Sequence, residues 1–181
     1  MFLSLIKKRR SIRKYLNKKI EPHVIKQIFK AALWAPSSRG KNPWEFILIT
    51  EKKMLSSLSH AKYGAEFLSN ASAAIAVIAD AEKSDVWIED TSIVSATLLY
   101  IAEDLGLGAC WVQIRNRMYD KNTTAEEYVS QLLDIPAKYK VEAIIGIGYP
   151  NEKKSEHTDK ELELNKIHHN SFSNLMKWEQ D

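Results

Sequence analysis

Three short polar segments hold the side chains with which this chain could do chemistry. The first is Arg9-Arg10-Ser11-Ile12-Arg13, inside a stretch, residues 1–19, with Lys7, Lys8, Lys14, Lys18 and Lys19 and no acid. The second is the loop Pro36-Ser37-Ser38-Arg39-Gly40-Lys41-Asn42-Pro43-Trp44, and the third runs from Gly106 to Gln113. A weaker fourth is Lys166-Ile167-His168. Arginine forks suit a phosphate, and hydroxyls and amides suit a polyol or a heterocycle. Together they point to a phosphorylated, partly aromatic ligand without naming it. Each also has a plainer account: a solvated basic surface helix, loop and cap chemistry after Pro36, and a helix stop with a tight turn at Gly106.

Other chemistries lack their residues. Gly106-Leu107-Gly108 has no third glycine and follows a helix, so it is not a dinucleotide fingerprint. There is no phosphate-binding Walker loop and no Gly-x-Ser-x-Gly elbow. His23, His60 and His157 are isolated, and the adjacent His168 and His169 are poorly placed to share a metal. A single cysteine, Cys110, excludes an intramolecular disulfide. No apolar run reaches the length of a membrane span, and the apolar start precedes its basic residues, the reverse of a secretory signal. A cytoplasmic protein is expected.

The elements that would position these segments can be read from periodicity. With 45% hydrophobic and 27% charged residues, the 181-residue chain suits a single globular domain. A helix is expected from Glu21, with Pro22 in its first turn and Val24, Ile25, Ile28, Phe29, Ala32 and Leu33 on one face. Strands are expected from Trp44 through Thr50, over Ala73–Ala79, Leu107–Gln113 and Val141–Ile147. Glu51–Leu58 and Thr124–Leu133 read as short helices. Asp85–Leu105 is the longest helix, apolar on nearly every side between Ile93 and Ala102, so it should be buried all round. A partner subunit is one way to achieve that. Residues 151–181 are polar, with Phe172, Leu175, Met176 and Trp178 as anchors for an arm packing on another surface. The uneven spacing of strands favours α+β over a doubly wound sheet.

The order and wording of the polar segments resemble the nitroreductase family of flavoproteins. RRSIR looks like its N-terminal signature, PSSRGKNPW like its Pro-Ser loop before Pro-Trp, and GLGACWV like its turn before the flavin. Gly148-Tyr149-Pro150 with Lys166-Ile167-His168 looks like its C-terminal signature. The resemblance runs from about Ile6 to His168.

It implies an α+β fold with a central mixed sheet flanked by helices, completed by homodimerisation, with 151–181 serving the cofactor site and the dimer. By the match, Arg9, Arg10, Ser11 and Arg13 would hold the phosphate, ribityl chain and pyrimidine edge of FMN. Ser37, Ser38 and Arg39 would reach it from the other subunit, and Asn42 would face it or order its own loop. Trp111, Val112 and Gln113 would pass the reactive edge, with a backbone N–H donating to the flavin N5. Lys166 and His168 would reach the phosphate. Some relatives carry Glu-Gly where Gln113-Ile114 stands, and since Ile cannot take the positive φ that Gly can, their loop conformation does not transfer; some carry Asn where Gly40 stands, so substrate preference does not transfer.

The implied activity is a ping-pong cycle in which NAD(P)H passes a hydride to FMN and a small acceptor, nitroaromatic, quinone or flavin-like, is then reduced. No catalytic side chain is required. A same-fold flavoenzyme with a specialised substrate is the alternative, and a non-catalytic flavin or nucleic-acid binder is a further one. The chain outside residues 1–19 has no extended basic face, so neither nucleic acid nor membrane is the expected partner.

Overall fold

The computed structural model describes residues 1–178; Glu179, Gln180 and Asp181, the end of the expected arm, lie outside them. Four strands form one sheet: β1 (Trp44–Ile49), β2 (Ala73–Asp80), β3 (Gly108–Gln113) and β4 (Tyr139–Gly148), in the order β1-β2-β4-β3. Among the described residues five α-helices accompany them: α1 (Phe2–Lys8), α2 (Pro22–Leu33), α3 (Lys52–Leu58), α4 (Trp87–Asp104) and α5 (Ala125–Leu132).

The α+β class is as expected, but the sheet is not mixed. All three neighbouring strand pairs are antiparallel, because β4 runs back between β2 and β3. Among the described residues the one parallel pairing is an isolated bridge between Ser11 and Ala109.

The sheet is covered on both faces, which is why β2 and most of β4 read as unbroken apolar runs. On one face Leu55 and Leu58 of α3 and Val129 of α5 pack with Val112 and Ile144. On the other, Ile28 and Ala32 of α2 and Val94, Leu98 and Ala102 of α4 pack with Ile75, Val77, Ile145 and Ile147. Pro22 opens α2 where its missing N–H costs nothing. Thr124 and Glu127 close a reciprocal capping box at the start of α5.

One of the plainer accounts and one further expectation are corrected. The basic stretch is not one surface helix: α1 ends at Lys8, and the chain then runs extended past β3, with the Ile12 N–H donating to the Ala109 carbonyl at 3.1 Å. Pairing with a strand nearly a hundred residues away overrides local helix propensity here. Nor is α4 buried all round within one chain. Val94, Ser95, Leu98 and Ala102 are buried, while Ile93 is exposed and Leu99 and Tyr100 are half-buried.

Candidate functional site

The RRSIR segment and the glycine turn meet at one corner of the sheet. Gly106 ends α4 with φ +72°, a left-handed conformation that a side chain would strain. The Leu107 N–H reaches back to the Ala102 carbonyl at 2.8 Å, and β3 begins. At Gly108 a Cβ would stand 2.7 Å from the Ile12 side chain, so glycine is what lets the segment lie against β3.

Alternation along the extended segment then separates its residues. The Ser11 hydroxyl reaches the buried Cys110 thiol, Arg9, Arg13 and Lys154 lie close enough for their charge to be felt there, and Lys154 Nζ donates to the Ser11 carbonyl at 2.6 Å. Burial pushes the Cys110 thiol pKa up, and these three cations and the Ser11 hydroxyl pull against it. Arg10 points elsewhere. Its guanidinium donates to the Ser155 carbonyl and lines a cleft of about 320 Å³ with Lys8, Glu103 and Lys153.

The corner is rich in unpaired positive charge. Lys7, Lys8, Lys18, Arg39, Lys138 and Lys166 each have a carboxylate partner. Arg9 and Arg13 have none among the described residues. The nearby Glu152 carboxylate instead accepts from the backbone N–H groups of Arg13 and Lys14, at 2.5 and 3.1 Å, which lowers its pKa. It fastens the segment and leaves the guanidinium groups available.

Beyond Ala109, β3 is the open edge of the sheet. The Ala109 carbonyl faces outward to Ile12, and by strand alternation the amides of Trp111 and Gln113 face outward too. Val112 faces the core. The Trp111 indole donates to Gln113 Oε1 at 2.9 Å, and Gln113 Nε2 reaches the Arg115 carbonyl at 3.1 Å and the Glu142 carboxyl at 3.2 Å.

The Ser37–Asn42 loop occupies the diagonally opposite corner, ahead of β1. Arg39, Gly40 and Asn42 all have positive φ, 53°, 63° and 44°. Ser37 Oγ holds the turn, accepting from the Asn42 N–H at 2.9 Å and donating to Asn42 Oδ1 at 2.6 Å. Asn42 therefore orders its own loop in one chain. Asp90, buried in α4, accepts from the Ser38 N–H at 2.7 Å and the Ser84 hydroxyl at 3.0 Å. Arg39 is exposed and paired with Asp85 at 3.1 Å.

Helix α4 measures the gap between the corners. Asp90 touches the loop, and Glu103 pairs with Lys8 beside the RRSIR segment. At about 1.5 Å per helical residue the two contacts are roughly 20 Å apart.

The arm is tied down only near its start. The His157 N–H donates to the Lys7 carbonyl at 2.9 Å and Asp159 pairs with Lys7 at 3.1 Å. Past Asp159 every described hydrogen bond is internal to the arm. Lys166 pairs with Glu163, and His168 stacks on Phe172 with its Nδ1 buried and unpartnered. Neither residue bonds to the RRSIR segment within one chain.

Lys154, Glu152, Asp90 and Glu142 were not anticipated as site residues. Glu142 leaves a trace in the sequence, as the lone acid inside a strand otherwise expected to be buried; Asp90, next to Glu89 in the first turn of its helix, leaves none. Lys154 and Glu152 leave none, since they sit in a polar stretch. No cluster of potential metal ligands occurs among the described residues, nor a helix long and apolar enough to cross a membrane.

An α+β domain carries a cation-rich corner beside an open strand edge, with donors of a kind that suit a phosphate. Residues 6–76 and 52–149 match the Nitroreductase family, and the chain belongs to that family. It is therefore an oxidoreductase of the nitroreductase type. It is 49% identical to the solved structure of an FMN-dependent nitroreductase from Clostridium difficile, with a TM-score of 0.93 over 94% of this chain and 99% of that one. A protein of Archaeoglobus fulgidus, provisionally named NADH dehydrogenase/NAD(P)H nitroreductase, is 36% identical over 84% of this chain and 87% of its own length. A nitroreductase family protein from Clostridium novyi, 25% identical, superposes with a TM-score of 0.75 over 88% of this chain and 90% of that one.

Proposed function

We propose that the chain is an FMN-dependent NAD(P)H oxidoreductase that reduces a small acceptor in a ping-pong cycle, with each cofactor site built from two copies of the chain. The observation that carries this reading is the pair of unpaired guanidinium groups, Arg9 and Arg13, set with Ser11 and Lys154 beside the open edge of β3. That donor set fits a phosphate and a ribityl chain. The outward amides of Trp111 and Gln113 fit the heterocycle's reacting edge. FMN, when bound, supplies hydride acceptance from NAD(P)H and its return to the acceptor.

The chain's own part is to bind and orient. Arg9 and Arg13 would neutralise the phosphate, Ser11 would bond to it or to the ribityl chain, and Arg10 would brace the segment through Ser155. The backbone N–H groups of Trp111 and Gln113 would donate where negative charge grows. Ser37, Ser38, Arg39 and Asn42 lie too far away in one chain, and a two-fold partner would present them to the opposite corner. The same partner would cover Phe2, Leu3, Trp34 and Ile93, which one chain leaves exposed, and would receive Lys166 and His168 with the arm.

Purified protein should be yellow, dimeric in sedimentation, and bleached anaerobically by NADH or NADPH. Recovery of colour with nitroaromatic, quinone or flavin acceptors then ranks them. Arg13→Ala should weaken FMN binding by about tenfold or more, since a hydrogen bond to a charged group contributes roughly 1.5–3 kcal/mol. A colourless chain that takes up no FMN overturns the proposal.

A further inference from the structure

Glu142 is out of place by composition. It lies in β4 between Val141 and Ala143, only 3% exposed, in a sheet otherwise packed with aliphatic side chains. It is also the extra residue of a bulge: Ile78 pairs with Val141 and Val77 with Ala143, which leaves Glu142 without a partner on β2.

The bulge turns Glu142 toward the end of β3. Its carbonyl accepts from the Ile114 and Arg115 N–H groups, each at 3.1 Å, and from Gln113 Nε2 at 3.4 Å. Its carboxyl Oε1 accepts from the same Gln113 Nε2 at 3.2 Å. Gln113 Oε1 in turn accepts from the Trp111 indole at 2.9 Å. One polar chain thus runs from the bulge to Trp111.

The other carboxyl oxygen, Oε2, is buried with no partner. The charged groups around it are the Arg115 guanidinium and the Glu126 carboxylate of α5, the latter held by the Val141 N–H at 3.1 Å. Burial is the largest influence and raises the Glu142 pKa, Glu126 reinforces it, and Gln113 and Arg115 oppose it. The balance shifts Glu142 toward its neutral form.

An aliphatic residue would fill the strand without leaving a buried oxygen unpaired. What it would lose is the hold on Gln113. We infer that Glu142 is a positioning residue: through Gln113 it fixes the Trp111 indole and the outward amides of Trp111 and Gln113. The inference rests on the reading above that these amides border the flavin's reacting edge.

Glu142→Gln and Glu142→Leu separate positioning from simple packing. In cofactor-free protein the Trp111 indole ¹H–¹⁵N resonance, assigned with Trp111→Phe, is expected to move in E142L and to stay near its wild-type position in E142Q. In FMN-loaded protein, anaerobic reduction by NAD(P)H should slow about tenfold in E142L at saturating nicotinamide, as misplacement near a reacting centre does. E142Q should recover most of that rate. E142L should unfold no more readily than wild type, so that rate and stability part company.

If E142L does not fold, Gln113→Leu cuts the same chain one link on and is expected to give the same two changes. A wild-type reduction rate in the leucine variant overturns the inference, as does an unmoved indole resonance or an E142Q as slow as E142L. A wild-type chain that binds no FMN overturns the preceding reading instead. The cofactor-free indole comparison then still decides whether Glu142 holds Trp111.

Discussion

Gly108→Ala tests whether the RRSIR segment depends on its close approach to β3. The new methyl carbon would stand 2.7 Å from Ile12 Cβ and Cγ2 and 3.0 Å from Cγ1. Ordinary carbon–carbon contact begins at about 3.5 Å, so the segment must retreat by roughly 0.8 Å. The Ile12 N–H to Ala109 carbonyl bond, 3.1 Å in the native chain, would then stretch beyond useful geometry. Losing it costs about 0.5–1.5 kcal/mol, and overpacking a tight site costs about 1–3 kcal/mol. The sum is about 1.5–4.5 kcal/mol, read by urea unfolding of the cofactor-free protein. For a chain of this length that corresponds to a fall in Tm of about 3–18 °C. FMN affinity, followed by quenching of flavin fluorescence, should drop at least about tenfold as Arg9, Ser11 and Arg13 shift with the backbone. A G108A variant that melts within about 2 °C of wild type, or loses stability but binds FMN unchanged, would refute the reasoning.

Three further outcomes follow from other parts of the molecule. Asp90→Ala strands the Ser38 N–H and the Ser84 hydroxyl and should cost about 2–4 kcal/mol in urea unfolding, with Asp90→Asn recovering part of it. Gly106→Ala forces a side chain into φ +72° with open space around it, so the loss should be only about 1 kcal/mol, by the same measurement. Glu142 holds its proton more tightly folded than unfolded, so its contribution to stability is complete below the ordinary glutamate pKa. It is lost as pH rises from there through the raised folded value. Wild type minus E142Q stability, measured across that window, should fall with rising pH; a flat or rising difference counts against a neutral Glu142.

What the sequence made legible was local. Pro22 and the face carrying Ile28 and Ala32 mark α2, the apolar run Ala73–Ala79 marks β2, and Gly106 marks the end of α4. Each depends on periodicity or on one residue's backbone preference. What stayed hidden depends on partners far along the chain. Arg9–Arg13 looks like the continuation of a basic helix until Ala109 is known to lie beside it. The order of strands, and so the antiparallel sheet, follows from where β4 inserts and from no residue in particular. The motif segments were identifiable by wording, and the resemblance already implied that Ser37, Ser38 and Arg39 reach the cofactor from another subunit; the distance that α4 sets between the two corners was not legible. The bulge at Glu142 is a register event, visible only once β2 and β4 are aligned.

The strand order also bears on how the chain is made. β4 is the last strand to leave the ribosome, yet it sits between β2 and β3. Until residues 139–148 emerge, β1 and β2 can pair, but β3 has no neighbour in the sheet and the Ala73–Ala79 run has one unprotected side. Such an edge invites pairing with other nascent chains. Insertion of β4 satisfies both open strands in one step, so cooperative folding is concentrated late in synthesis. A chain cut before Tyr139 keeps all five helices α1–α5, including the α4 crossover, but loses the strand that joins β2 to β3, and should accumulate as aggregate.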